Sequence, residues 1–239
     1  MRLNTTVGNY EHLENALKDH SVYIVGSGPS LIGYDYGRLK GKTVLAINHA
    51  FRELVAHGVE PAYHVFLDQR FLNEAKLDVD NLPFNPISSA DSTMSPRVKE
   101  KGGLSVINAS NSFSLDSRLG FFSPRNSIAF AISCALYMGA KEIFLLGADC
   151  TVANKTQAVY IARQNDNEAK AQEILSSGRA YYLHCTSGKY NHTKDDFEHT
   201  RIFEVMVALF WEFQGKTDVP IYNCSRLSKI QNFPKVNLP

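Results

Sequence analysis

Residues 22–31 read VYIVGSGPSL, an apolar, partly β-branched run that stops on Gly26, Ser27 and Gly28 and continues with Pro29, Ser30 and Leu31. Such a run is a buried strand, and small residues let the backbone of the next turn approach a neighbour or ligand closely. Pro29 suits the first turn of a following helix, where its missing N–H costs little. A strand, a glycine turn and a helix N-terminus in that order offer amides to an anion, and a nucleotide phosphate is the guest this order favours.

Two familiar phosphate loops are excluded. No lysine lies in the turn, so it is not a Walker loop. Leu31 stands where a dinucleotide fingerprint needs its last glycine, and the second strand, 42–47, ends in Asn48 rather than in the acid that would hold an NAD ribose.

The same strand pattern recurs along the chain, at 22–25, 43–47, 63–67, 104–108, 142–146 and 220–223, with helical segments between. Apolar strands alternating with helices predict an α/β fold, a Rossmann-like, mostly parallel sheet with helices on both faces. Residues 10–19, with Leu13 and Leu17 four apart, predict a helix beside the first strand. A second runs over 124–138, with Ser123 as N-cap, Gly139 beyond its end and a small face of Ile128, Ala131, Ile132 and Ala135. A third begins near Thr193, where Thr193 and Asp196 form a capping-box spacing, and its apolar stripe is Ile202, Val205, Met206, Leu209 and Phe213. Residues 73–103 carry Pro83, Pro86 and Pro96 among Ser and Asp and read as a long loop. Residues 151–189 are polar, with one helix around 168–175.

With 239 residues, 44% hydrophobic and 21% charged, the chain can bury a full core as a single domain, 1–239, with 151–192 as a lid or substrate loop region. The formal charge of +1 lacks the electrostatic footprint of a nucleic-acid binder. Cys134, Cys150, Cys185 and Cys224 have no Cys-x-x-Cys spacing, so buried thiols in a reducing compartment are the expectation. With no signal peptide and no apolar stretch of about 18 residues, a cytoplasmic location without a transmembrane segment follows. A homo-oligomer is compatible with all of this.

In an open α/β sheet, ligands bind outside the carboxyl ends of the strands. Polar or glycine signals end four strands here: Gly26-Ser27-Gly28, Asn48, Asp68, and Gly147 with Asp149. If those strands are neighbours, all four groups line one crevice. Gly26, Ser27, Gly28, Pro29 and Ser30 would cradle phosphate, and Asn48 would bond a ribose hydroxyl or a phosphate oxygen. Asp68 would bind ribose or a divalent cation or act as a base, and Asp149 would join it if magnesium is used. Asn126 and Ser127 fall in the first turn of their helix, where the dipole adds roughly half a positive charge. His192 and His199 flank the third helix's start, where an imidazole acts as general acid or base. Tyr181, Tyr182 and His184 form a weaker cluster, and His49, His57 and His64 read as structural, although His49 adjoins Asn48.

The GSGPSL turn, AINHAF with Asn48, PAYHVFLD with Asp68, NSIAFAISCALYMGAKEIFLLGAD and the final IYNCSRLSKIQNF resemble the bacterial sialyltransferases acting on lipooligosaccharide. They equally resemble the related group that joins motility-accessory factors to 6-hydroxymethylpterin diphosphokinase-like proteins. The likeness runs from residue 23 to about 233. It implies a Rossmann-like fold binding the CMP part of a CMP-sugar at Ser27, Gly28 and Asn48, a helix-start serine at Ser127, and a catalytic histidine at His192 or His199. The sialyltransferases need no metal. Asp68 departs from the amide they tend to carry and favours the diphosphokinase-like branch, which uses ATP and magnesium.

Three functions follow as expectations. The leading one is a glycosyltransferase moving a sialic-acid-like sugar from a CMP-sugar donor to a lipopolysaccharide-type glycan acceptor, with no required cofactor. The second is an ATP- and Mg-dependent diphosphokinase, and the third a nucleotide-binding protein without catalysis.

Overall fold

The computed structural model describes residues 10–67, 84–89, 105–107, 109–110, 113–114, 121–122, 126–150, 168–176 and 207–238. In chain order the strands are β1 (Ser21–Val25), β2 (Thr43–Ile47), β3 (Tyr63–Phe66), β4 (Asn85–Ser89), β5 (Ser105–Ile107), β6 (Ala109–Ser110), β7 (Phe121–Phe122), β8 (Glu142–Leu146) and β9 (Ile221–Asn223). The helices are α1 (Ala50–Ala56), α2 (Ser127–Tyr137) and α3 (Glu168–Ser176). Seven strands form one sheet in the order β5-β4-β3-β2-β1-β8-β9, with every pairing parallel. The fold is therefore α/β and Rossmann-like, as the strand spacing predicted. β6 and β7 make a separate parallel pair.

A parallel sheet buries both faces, so its strands are apolar throughout rather than alternating. Val22, Ile24, Leu45, Ile47, Val65, Ile143 and Leu145 pack on one face with α2, which contributes Ala129, Phe130, Ala131, Ile132 and Ala135. Tyr23, Val25, Val44, Ala46, Phe66, Phe144 and Leu146 pack on the other with Ala50, Phe51 and Leu54 of α1. On this second face Phe144 stacks between Tyr23 and Tyr222, its register partners on β1 and β9, at centroid distances of 5.0 and 5.2 Å. Such cross-strand aromatic pairs lock register.

Three sequence expectations change. Residues 10–19 give only a 3-10 turn, Glu11–Leu13, because Asn15 and Asp19 take left-handed backbone at φ 58° and 66°. Leu13 and Leu17 are nonetheless buried, and the Asn15 and Leu17 amides donate to the Tyr137 and Met138 carbonyls at the end of α2. The 73–103 segment contains β4, not only loop. Pro86 is tolerated because it stands ahead of Ile87, the first residue paired with β5, where the second ladder has not begun. α2 begins at Ser127 with Asn126 as its cap, whereas Ser123 and Pro124 lie outside the described residues. Gly139 does follow it in left-handed conformation, at φ 79°.

Candidate functional site

The chain runs outward from β1 through β2, β3 and β4 to β5, then returns to β8 on the other side of β1. The topological switch point therefore lies between β1 and β8, and the crevice outside their carboxyl ends is where this architecture places ligands. The turn at residues 26–28, Asn48 and the pair Gly147 and Asp149 follow β1, β2 and β8, three adjacent strands. Asp68, after the adjacent β3, lies outside the described residues, as do His192, His199, Tyr181, Tyr182, His184 and Cys185.

The glycines are explained by backbone against backbone. The Gly26 amide donates to the Leu146 carbonyl at 2.7 Å and the Gly28 amide to the Gly147 carbonyl at 2.9 Å. A Cβ on Gly26 would stand 2.7 Å from the Gly147 oxygen, and one on Gly28 2.5 Å from Asp149 Oδ2. Gly147 itself is left-handed, at φ 64°. Pro29–Leu31 form a 3-10 turn of three residues instead of the expected helix, closed by the Ile32 amide on the Pro29 carbonyl at 3.1 Å.

Asp149 completes this junction. It is 2% exposed, and its Oδ2 accepts the Ser30 amide at 2.6 Å. Its Oδ1 has no partner among the described residues. Burial raises its carboxyl above the ordinary range, against the opposing hydrogen bonds of Ser30 and the charges of Arg226 and Lys235. The amides of Gly26, Gly28 and Ser30 are thus spent inside the protein, and Pro29 has none to give. The anion cradle expected from the sequence is for the most part a structural joint.

Asn48 differs. Its backbone is left-handed, at φ 47°, and fixed at both ends: its amide donates to the Val65 carbonyl at 3.1 Å, and its carbonyl accepts His64 Nε2 at 2.8 Å. The side-chain Oδ1 has no partner among the described residues. A buried amide oxygen left over on a fully anchored backbone is a ready acceptor for a ligand hydroxyl or amino group. His64 is fully buried, and desolvation lowers its pKa to about 4, so it holds Asn48 as a neutral donor. That matches the structural role read for it.

At the start of α2 the Asn126 Oδ1 accepts the Ile128 and Ala129 amides at 3.0 and 3.1 Å. Its carbonyl is spent on capping, which leaves Ser127, half-buried, as the polar side chain at that end. The helix end abuts the glycine turn, since a Cβ on Gly26 would meet Ile128 Cδ1 at 3.3 Å.

Sequence reading missed the stretch after β9. Ser225 Oγ accepts the Ala148 amide at 2.9 Å, and Ser228 Oγ donates to the Ala148 carbonyl at 2.7 Å. Two serines three apart directly after the last strand were the available signal. Cys134, Cys150 and Cys224 are free thiols, and burial pushes Cys150 to about 12 and Cys224 to about 11, so they stay protonated and inert. Among the described residues no three His, Cys, Asp or Glu are grouped to hold a metal ion, and no helix is long and apolar enough to cross a membrane.

Two of the several solved structures that the chain resembles show what it is similar to. One is the MAf glycosyltransferase from Magnetospirillum magneticum AMB-1, at 17% identity and a TM-score of 0.53, over 92% of this chain and 34% of that one. This chain thus spans about a third of that protein. The other is the sialyltransferase CstII from Campylobacter jejuni, solved with the substrate analogue CMP-3FNeuAc, at 12% identity and a TM-score of 0.46, over 92% and 86% of the two chains. At these identities the likeness to the first is one of fold. No match is found among curated proteins. Residues 1–155 match the family described as 6-hydroxymethylpterin diphosphokinase MptE-like, a span that contains β1 to β8 and every crevice residue described so far except those after β9. The chain belongs to the MptE-like family and carries its nucleotide-site candidates on a glycosyltransferase-like α/β fold.

Proposed function

We propose that this protein is a glycosyltransferase that moves a sialic-acid-like sugar from a CMP-activated donor to a lipopolysaccharide-type glycan acceptor in the cytoplasm. The observation that supports it best is the unpaired Oδ1 of Asn48 beside the β1 turn at the switch point, where a ribose or base has an acceptor waiting. Ser127, half-buried at the start of α2, offers a hydroxyl near that position, and Ser27 stands in the turn after β1, which Gly28 and Gly147 let close tightly against the turn after β8. In this reading residues 151–192 close over the crevice as a lid. His192 or His199 takes the proton of the acceptor hydroxyl, the acceptor oxygen bonds to the sugar's anomeric carbon, and CMP departs with the electron pair of the broken bond. Donors held in place around the departing phosphate stabilise the charge it gains.

The family match favours a second reading, an ATP- and Mg-dependent diphosphokinase. Magnesium usually binds one or two protein carboxylates besides substrate phosphates. Asp149 fits in part, since Oδ1 is unpaired while Oδ2 holds Ser30, and Asp68 would supply the second carboxylate. The ion would neutralise phosphate charge during transfer.

Product analysis separates the two. Release of CMP from a CMP-sugar without metal, abolished in the His192→Ala, His199→Ala double variant while CMP binding persists, supports the first. Release of AMP from ATP only with magnesium supports the second, and a fully active double variant sinks the histidine mechanism.

A further inference from the structure

The loop after β9 has no part in the reading above, yet it is built onto the crevice wall. Asn223, 1% exposed, ties both ends of the loop: its Oδ1 accepts the Ser225 amide at 3.0 Å, and its Nδ2 donates to the Ile230 carbonyl at 3.1 Å. Ser225 and Ser228 clamp the Ala148 amide and carbonyl, and the Lys229 amide donates to the Asp149 carbonyl at 2.9 Å. The loop is a clasp fastened to the backbone just past β8, and its tip is Arg226 and Leu227.

Arg226 is exposed and enters no hydrogen bond or ion pair among the described residues, while its charge reaches the Asp149 carboxyl. The neighbouring cation Lys235 is committed, with Nζ donating to the Ser228 carbonyl at 3.0 Å. The turn's amides at Gly26, Gly28 and Ser30 are also committed, and the Oδ1 of buried Asp149 is an unpaired acceptor that repels an anion. A phosphate entering this crevice therefore finds those three amides and the Lys235 ammonium already spent, and a guanidinium offers both charge and paired N–H groups matched to phosphate oxygens.

We propose that Arg226, presented by the clasp, is the phosphate-binding cation of the crevice, engaging the phosphoryl group of a nucleotide whose ribose end lies at Asn48. This rests on the crevice taking a nucleotide. Arg226 lies beyond residues 1–155, the span of the family match.

Calorimetric titration of cytidine, CMP, adenosine, ATP with magnesium, and inorganic pyrophosphate into the wild type, Arg226→Ala, Arg226→Lys and Lys229→Ala tests it. The expected result is a nucleotide bound more tightly than its nucleoside by wild type, with Arg226→Ala losing about tenfold or more of that advantage. Nucleoside affinity should stay unchanged, Arg226→Lys should recover part of the advantage, and Lys229→Ala should behave as wild type. An unchanged nucleotide-to-nucleoside ratio in Arg226→Ala, or equal loss of both, overturns the proposal. If wild type binds neither, the nucleotide reading falls by itself. Pyrophosphate binding that Arg226→Ala abolishes then still upholds Arg226 as a phosphate site, and no pyrophosphate binding overturns it too.

Discussion

Asp149 Oδ2 accepts the amide proton of Ser30 at 2.6 Å, joining the exit of β8 to the turn after β1 across the switch point of the sheet. A carboxylate here plays toward the turn the part that a phosphate oxygen plays in a glycine loop. The turn is therefore preformed by the protein's own groups.

Replacing Asp149 separates hydrogen bond from charge. Asp149→Ala leaves the Ser30 amide unpaired and should cost about 1–3 kcal/mol. Asp149→Asn keeps an acceptor without the buried charge. Because burial raises the Asp149 pKa, the folded state binds this proton more readily, and the contribution to stability falls as pH rises above the ordinary value of 3.8. Melting curves should show Asp149→Asn at least as stable as wild type at neutral pH, with a flatter loss from acid to neutral pH. An Asn variant as unstable as the Ala variant would contradict this.

His64 has the opposite slope. Its folded pKa, about 4, lies below the ordinary 6.5. The stability tied to its neutral form is complete above pH 6.5 and lost as pH falls toward 4, roughly 3 kcal/mol over the whole window. His64→Gln keeps a donor for the Asn48 carbonyl and does not titrate. Denaturant titrations at neutral and mildly acidic pH should show a smaller acid loss in the variant, and an identical loss would refute the assignment.

Gly28→Ala and Gly147→Ala test the close backbone contact. The Gly28 Cβ would stand 2.6 Å from the Gly147 oxygen as well as against Asp149, and the Gly147 Cβ 2.5 Å from Leu31 Cδ1 in left-handed backbone. Overpacking typically costs about 1–3 kcal/mol, and the left-handed conformation adds about 1 more at Gly147. Both variants should melt lower, Gly147→Ala the more so, and wild-type melting in either would remove the contact argument.

Asn126→Ala removes the cap of α2 and should cost about 1 kcal/mol, whereas Asn126→Asp should retain most of the stability. Equal losses in the two would show that capping is not the residue's role.

The strands were legible because unbroken apolar runs of four or five residues have few alternatives, and β2 and β8 match the expected spans at both ends. Local chemistry misled where a tertiary contact decided the outcome. β4 was hidden by Pro86, whose tolerance depends on where β5 begins to pair. The Leu13 and Leu17 spacing signalled burial but could not show that Asn15 breaks the helix. That the 26–28 turn, Asn48 and Asp149 end adjacent strands was legible as a coincidence of strand-end residues, since strand order alone brings them together. The commitment of the Ser30 amide to Asp149, 119 residues away, and the clamping of Ala148 by Ser225 and Ser228 are long-range pairings that no local pattern encodes.

The most direct test of the account is thermal unfolding with CMP and with ATP, each with and without magnesium, for wild type and Asn48→Ala. A ligand that binds the folded state raises the midpoint by mass action. The account predicts a metal-independent rise with CMP that Asn48→Ala largely removes, while a rise only with ATP and magnesium, also lost in Asn48→Ala, would move the chemistry to the diphosphokinase reading at the same site. No rise with any nucleotide, or one that Asn48→Ala leaves intact, would contradict the crevice as the nucleotide site.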